Sequence, residues 1–225
     1  AAGTALQLRG GGSKAFYGGV PCGDILETGL HAGIVDYEPS ELVVTARCGT
    51  PLAQLEAALA SHGQMLACEP PHFGPQATVG GMIAAGLSGP RRAAAGAVRD
   101  FVLGVQIMDG RGERLSFGGR VMKNVAGYDV ARLMAGSLGT LGIILEASLK
   151  TLPLPANEFT VRLELAQDEA LASLNRWAGQ PLGISASAWL SLTLRNTPPA
   201  TAMFRIPVCR IAFRTSATKV SSSSR

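Results

Sequence analysis

Pro70-Pro71-His72-Phe73-Gly74-Pro75-Gln76-Ala77-Thr78-Val79-Gly80-Gly81-Met82 is the stretch that decides the fold. Three prolines within six residues stiffen a turn that delivers the chain to a helix start, with Thr78 as the expected cap and two glycines in the first turn. Small residues continue through Ala84, Ala85 and Gly86 to Leu87-Ser88-Gly89-Pro90-Arg91. One reading gives free N–H groups at the helix start to an anion, with Gly80 and Gly81 leaving room for it to touch backbone. The other is a helix packed so tightly that only glycine and alanine fit. Both can hold at once.

Upstream, residues 42–47 read as a strand, and Thr50 then caps a helix with Pro51 in its first turn, Leu52, Leu55 and Leu59 on one face, and a stop at Gly63. A short strand is expected at 64–67. Downstream, 98–109 alternates as a strand and turns through Gly110 and Gly112 into 113–117, a hairpin pattern. A short helix over 129–135, begun by Tyr128 and capped by Asp129, and a strand over 141–152 follow. Glycine is concentrated before this point, with 26 of the 28 in residues 1–150, and the Leu-Pro-Leu-Pro run at 152–155 marks a boundary. Beyond it, 159–165, 168–178 and 184–190 read as one β-α-β unit.

Near the start, Arg9-Gly10-Gly11-Gly12-Ser13 lets successive backbone N–H groups converge on one point, which suits a pyrophosphate. Taken alone, the run reads rather as an exposed flexible loop, since tri-glycine runs are common in linkers. No lysine follows a glycine, which excludes a P-loop. Gly10 to Ala15 match G-x-G-x-x-A, yet Phe16-Tyr17-Gly18-Gly19 follows where a dinucleotide fold needs a helix. Gly136-Ser137-Leu138-Gly139 lacks the first glycine of a nucleophile elbow. Cys22, Cys48, Cys68 and Cys209 have no metal-site spacing and are expected to be reduced thiols, and three histidines without an HExxH run leave no metal site expected.

The 225 residues carry a formal charge of +4, but residues 1–169 hold 13 basic and 16 acidic groups, and 170–225 hold 7 basic groups and no acid. The basic excess therefore belongs to the tail, and no folded basic face for nucleic acid is expected. No apolar run reaches the roughly 18 to 20 residues of a membrane span and no leader pattern opens the chain, so a soluble protein is expected. From about Ser191 periodicity fails, and Ser/Pro bias favours disorder or a non-native sequence over 191–225.

Five segments then occur in order: Arg-Gly-Gly-Gly-Ser at 9–13, Ala-Thr-Val-Gly-Gly-Met at 77–82, Leu-Ser-Gly-Pro-Arg at 87–91, Val-Arg-Asp-Phe-Val-Leu-Gly at 98–104 and Gly-Ser-Leu-Gly-Thr-Leu-Gly-Ile-Ile at 136–144. Together they resemble the PCMH-type FAD-binding domain of the vanillyl-alcohol oxidase flavoprotein family. Cys-Glu-Pro-Pro-His at 68–72, Gly-Pro-Arg-Arg at 89–92 and Val-Met-Lys-Asn-Val-Ala-Gly-Tyr-Asp at 121–129 look closest to the FAD-binding subunits of bacterial glycolate oxidase complexes. The resemblance implies an α+β fold: a PCMH-type domain of two α/β subdomains over 1–152, lacking its leading helix and strand, then the cut-short start of an α/β cap domain over 157–190.

By the same resemblance, Arg9, Gly10, Gly11, Gly12 and Ser13, with Lys14 and Gly18, hold the FAD pyrophosphate. Thr78, Gly80 and Gly81 meet phosphates and ribityl chain, with Gly74 and Ala77 in the same cofactor-binding set. Ser88 and Gly89 lie near the isoalloxazine, Arg99 and Asp100 support them, and Ile143 gives backbone contacts. Relatives with covalent flavin place a histidine where this sequence has Ser13, so non-covalent FAD is expected. No catalytic residue is identified; His72 and Lys123 are weak candidates, and each also reads as structural or solvated.

The implied activity is hydride transfer from a small 2-hydroxy acid, glycolate to glyoxylate, onto FAD. Electrons then pass to partners, the catalytic flavoprotein and iron–sulfur subunits of a glycolate oxidase complex. The implied location is the cytoplasm, or the inner membrane face through those partners. Two alternatives stay open: a non-catalytic FAD-binding or assembly subunit of that complex, and a sugar-nucleotide reductase using NADPH.

Overall fold

Val43, Val44, Thr45 and Ala46 are four consecutive buried side chains, the pattern of a strand covered on both faces. In the computed structural model, which describes residues 3–119, 128–158, 160, 161, 163 and 165–189, they lie inside a sheet. Contacts divide the chain into two units, Ala1–Leu154 and Pro155–Arg225. The first unit begins with β1 (Leu6–Arg9) and β2 (Asp24–Glu27), which pair in parallel as a small separate sheet. β3 (Ile34–Glu38), β4 (Val43–Arg47), α1 (Leu52–Ala60) and β5 (Gln64–Met65) follow.

After the proline-rich turn come α2 (Val79–Ala85), α3 (Arg92–Ala95), α4 (Val98–Phe101), β6 (Val102–Met108) and β7 (Arg114–Gly118). α5 (Val130–Leu133), β8 (Ile143–Lys150) and β9 (Leu152–Pro153) complete the unit. Among the described residues β3, β4, β8, β6 and β7 form one antiparallel sheet in that order. Val44, Ala46, Ala147, Leu149, Val105 and Ile107 alternate onto one core. Against them α1 buries Leu52, Leu55 and Leu59 completely, each worth about 1.5–3 kcal/mol of transfer free energy.

The mixed helix and sheet content agrees with the expected α+β class, and the hairpin and the α1 leucine face form as expected. Three local expectations are corrected in the first unit. Residues 98–101 form a helical turn rather than the start of a strand, with the Asp100 carboxylate accepting from Ala97 N–H at 2.9 Å. The Thr50 hydroxyl does not cap α1; it donates back to the Arg47 carbonyl at 2.6 Å and exchanges bonds with Gly33. The strand expected over 64–67 shrinks to two residues that pair with β9, so the Leu-Pro run is partly ladder, tolerated because Pro153 sits at its end.

In the second unit α6 (Gln167–Ala178) forms as read, but residues 184–189 adopt no strand. Residues 159, 162, 164 and 190, and the tail over 191–225, lie outside the described residues. No described helix is long and apolar enough to cross a membrane.

Candidate cofactor cleft

The turn between 70 and 78 and the exit of β1 meet at close range. Leu52 N–H donates to Ala77 O at 2.7 Å and Val79 N–H to Thr50 O at 2.9 Å, fixing 77–79 beside the start of α1. Onto this rail the glycine loop is laid. A Cβ on Gly11 would stand 1.4 Å from the Gln76 carbonyl oxygen and one on Gly10 2.6 Å from Thr78 Oγ1, so no side chain fits at either position. Gly12 takes a left-handed φ of +66°, which turns the chain toward Lys14.

The result is a cleft of about 720 Å³, within the size range of cofactor sites. Arg9, Gly10, Gly11, Gly12, Ser13, Lys14 and Gly18 form one wall, Thr78 and Gly81 the floor, and Leu138, Gly139 and Thr140 the far side. Among the described residues the backbone N–H groups of Gly11, Gly12, Ser13 and Lys14 have no acceptor. The Lys14 ammonium is shielded from solvent and also has no hydrogen-bond partner, and its burial lowers its pKa. Among the described residues Arg9 has an exposed 3.7 Å contact with Glu27, a pairing worth little, and no carboxylate lines the cleft. Unspent donors and two cations that face no carboxylate within the cleft, among the described residues, fit a polyanion such as a pyrophosphate.

The start of α2 behaves differently. Thr78 caps it as expected, its hydroxyl accepting from Gly81 N–H at 3.2 Å. Gly80 N–H donates to Cys48 O at 2.7 Å, and Met82 N–H to Thr78 O at 2.9 Å. With Val79 N–H held by Thr50, the first-turn donors are all taken, which corrects the expectation of free N–H groups there. Gly80 faces inward, since its Cβ would lie 2.8 Å from Cys48 Cβ. Burial, reinforced by the Glu146 carboxylate, pushes the Cys48 thiol far up.

The remaining expected residues do not line the cleft. Ala77 is buried in the core. Gly74 (φ +147°) lies behind the glycine loop, its Cβ direction 3.6 Å from Ser13 Cβ. Gly89 is pinned by its N–H to Cys68 O at 2.9 Å and packs on Glu69, while Ser88 Oγ accepts from Val98 N–H at 3.0 Å. Arg99 and Asp100 form an exposed 3.9 Å pair, and Ile143 opens β8 opposite Met108. His72 Nε2 meets Glu56 Oε2 at 2.9 Å on α1, and Glu56 is itself raised by burial against the pull of His72. Lys123 lies outside the described residues.

Sequence reasoning missed three features. Glu56 is sixteen positions from His72, with no motif joining them. Glu69 accepts from Arg91 N–H at 2.9 Å and Arg91 Nε at 3.3 Å, stapling the Ser88–Gly89 loop. Leu138 and Thr140 on the far wall lie within the 136–144 segment, but nothing in their residue types marks them as cleft-lining. No group of three metal-ligating side chains stands together among the described residues.

A model of the FAD binding domain family matches residues 1–118. The chain belongs to this family. It is 56% identical over 182 residues to glycolate oxidase subunit GlcE of Escherichia coli, a match covering 81% of this chain and 52% of that protein. It is 35% identical over 149 residues to a D-lactate dehydrogenase of Archaeoglobus fulgidus (65% and 33% covered) and 34% over 128 residues to glycolate oxidase subunit GlcD of Bacillus subtilis (57% and 27%). Among solved structures, an alkyldihydroxyacetonephosphate synthase superposes with a TM-score of 0.66 at 21% identity, covering 81% of this chain and 34% of that one. The FAD-binding domain is of the PCMH type. The chain spans about half the length of its Escherichia coli relative and a third or less of the other two.

Proposed function

We propose that the chain is the FAD-binding part of a glycolate oxidase subunit, working on a small 2-hydroxy acid and passing electrons to partner subunits. The observation that carries the cofactor side is the cleft wall over 11–14, where four backbone N–H groups and a shielded ammonium have no acceptor among the described residues. The 56% identity to a glycolate oxidase subunit supports the substrate class and an assembly of more than one subunit; that its partners are catalytic flavoprotein and iron–sulfur subunits is what the motif resemblance at 68–72, 89–92 and 121–129 implies. When bound, FAD supplies the two-electron acceptor for a hydride from the carbon that bears the hydroxyl.

In this reading Arg9, Lys14 and the glycine-loop N–H groups hold the pyrophosphate, while Thr78 and Gly81 line the floor beneath it. The staple between Glu69 and Arg91 fixes Ser88 and Gly89, the segment assigned to the isoalloxazine side with Arg99, Asp100 and Ile143. Ser13 leaves no imidazole on the loop, so FAD is held without a covalent bond. His72 is engaged by Glu56 and serves as a clasp on the proline-rich turn.

A second reading is favoured by one observation among the described residues: the two carboxylates at the segment assigned to the isoalloxazine are engaged in structural contacts, Glu69 with Arg91 and Asp100 with the Ala97 N–H and Arg99, so neither stands ready as a general base there. A non-catalytic FAD-binding subunit, with a paralogous subunit oxidising substrate, meets that condition. Spectra of the purified chain with FAD, before and after acid precipitation and then with glycolate or D-lactate, test both. Flavin bands released by acid support the dissociable site, and a colourless protein that takes up no FAD overturns it. Bleaching by hydroxy acid favours the catalytic subunit, and unbleached bound flavin favours the assembly role.

A further inference from the structure

Phe73 is held in a costly conformation: its φ of +53° is left-handed, which a bulky residue seldom adopts, and the residue is 55% exposed. Contact with the glycine loop accompanies that cost. The ring stands edge-on to Phe16 with centroids 4.9 Å apart and planes at 74°, and Lys14 Nζ lies 6.0 Å from its centroid. On the other side of the same turn the 2.9 Å bond between His72 and Glu56 clamps it to α1. A strained residue fixed from two sides is kept where the strain serves a site.

We propose that the Phe16–Phe73 pair roofs Lys14, holding its ammonium out of water along the cleft wall, so that Phe73 acts through Lys14 as a positioning residue for the pyrophosphate of FAD. This inference rests on the pyrophosphate reading of the cleft. A lysine ammonium is a compact, strongly hydrated charge on a flexible stem, and an arriving anion must strip its water and fix its rotamers. The ring removes that water in advance and offsets part of the loss through its π-electrons. Coulombic attraction to phosphate oxygens is then stronger than in bulk solvent. Burial already lowers the pKa of Lys14, in keeping with such a roof.

The test compares the full chain with Phe73→Gly, which removes both roof and backbone strain, and Phe73→Leu, which keeps an apolar cover. Two readouts are taken after thermal melts establish that each variant folds: FAD affinity by flavin fluorescence, and the titration of Lys14 in the cofactor-free protein by lysine-selective carbon NMR. Phe73→Gly, which strips the apolar cover and the π-contact together, is expected to weaken FAD about tenfold, and Phe73→Leu, which keeps the cover and loses only the π-contact, to stay within about threefold of the parent, the scale of one partly exposed cation–π contact. Lys14 should titrate below the ordinary lysine range in the parent and in Phe73→Leu, and move up toward it in Phe73→Gly. Parent-like behaviour of Phe73→Gly in both readouts overturns the roof, as does a Phe73→Leu variant as weak as the glycine one. If the parent itself binds no FAD, the pyrophosphate reading fails, and the Lys14 titration alone then decides whether Phe73 shields it.

Discussion

The two glycine-rich segments of the cleft, Gly10–Gly12 and Gly80–Gly81, use the same residue for opposite ends. At 80–81 the missing Cβ lets helix α2 press against Cys48, and the donors that glycine exposes are spent on Cys48 and Thr78 of the same chain. In the loop, Gly10 and Gly11 also allow a close approach, to Thr78 and Gln76, but the donors from Gly11 to Lys14 are left over. Glycine therefore marks close contact in both places, and only the hydrogen-bond accounting tells a packed junction from a waiting site.

The largest expected effect separates the two directly. Gly11→Ala would place a methyl on the Gln76 carbonyl, so the loop must leave its rail; FAD affinity should fall about a hundredfold, the upper end of overpacking strain, while the melting temperature moves little. Gly80→Ala should do the reverse, costing about 2 kcal/mol of stability through the clash with Cys48, with a much smaller change in FAD affinity of the folded protein. Calorimetry and flavin titration of both variants check this, and equal effects on binding would erase the distinction drawn here.

A smaller effect sharpens the loop side. Because burial lowers the pKa of Lys14, the folded chain binds fewer protons than the unfolded chain between the lowered value and the ordinary lysine value. Stability of the cofactor-free protein should therefore rise as pH climbs through that window, while FAD binding weakens as the ammonium is lost. Lys14→Met should abolish both trends and bind FAD about tenfold more weakly at neutral pH, the worth of a charge-assisted hydrogen bond. Melting and titration across an alkaline pH series measure it.

The smallest effect needs only a thiol reagent. Cys22 is exposed and lines the cleft, whereas burial pushes the Cys68 thiol up to about 12 and holds Cys48 higher still. At pH 8 alkylation should reach Cys22 and spare Cys48 and Cys68, and bound FAD should slow it at Cys22. Peptide mass spectrometry reads each site. Undiminished labelling of Cys22 in the presence of saturating FAD would place the cofactor elsewhere.

Much of the fold was legible because local rules govern it. The Leu52, Leu55 and Leu59 face announces α1, the Gly110 and Gly112 turn announces the hairpin of β6 and β7, and Thr78 caps α2 as its residue type predicts. The site was legible in outline through Arg9 to Lys14 and through Thr78 and Gly81, all of which line the cleft. Local rules failed where a distant group made a better offer. Thr50 turns from its own helix to the Arg47 and Gly33 carbonyls, and His72 finds Glu56, sixteen positions away on α1.

The sequence by itself determined the α+β class, the order of its motifs and the membership of an FAD-binding family, because apolar periodicity, caps and glycine runs are properties of neighbouring residues. Tertiary structure alone decided which donors remain free, that the Lys14 ammonium is shielded and lies 6.0 Å from the Phe73 ring centroid, and that Gly80 serves packing. Those outcomes depend on segments that meet only when the sheet and the turns close. A backbone N–H has one bond to give, and whether a carbonyl of the same chain takes it is settled by distance in space.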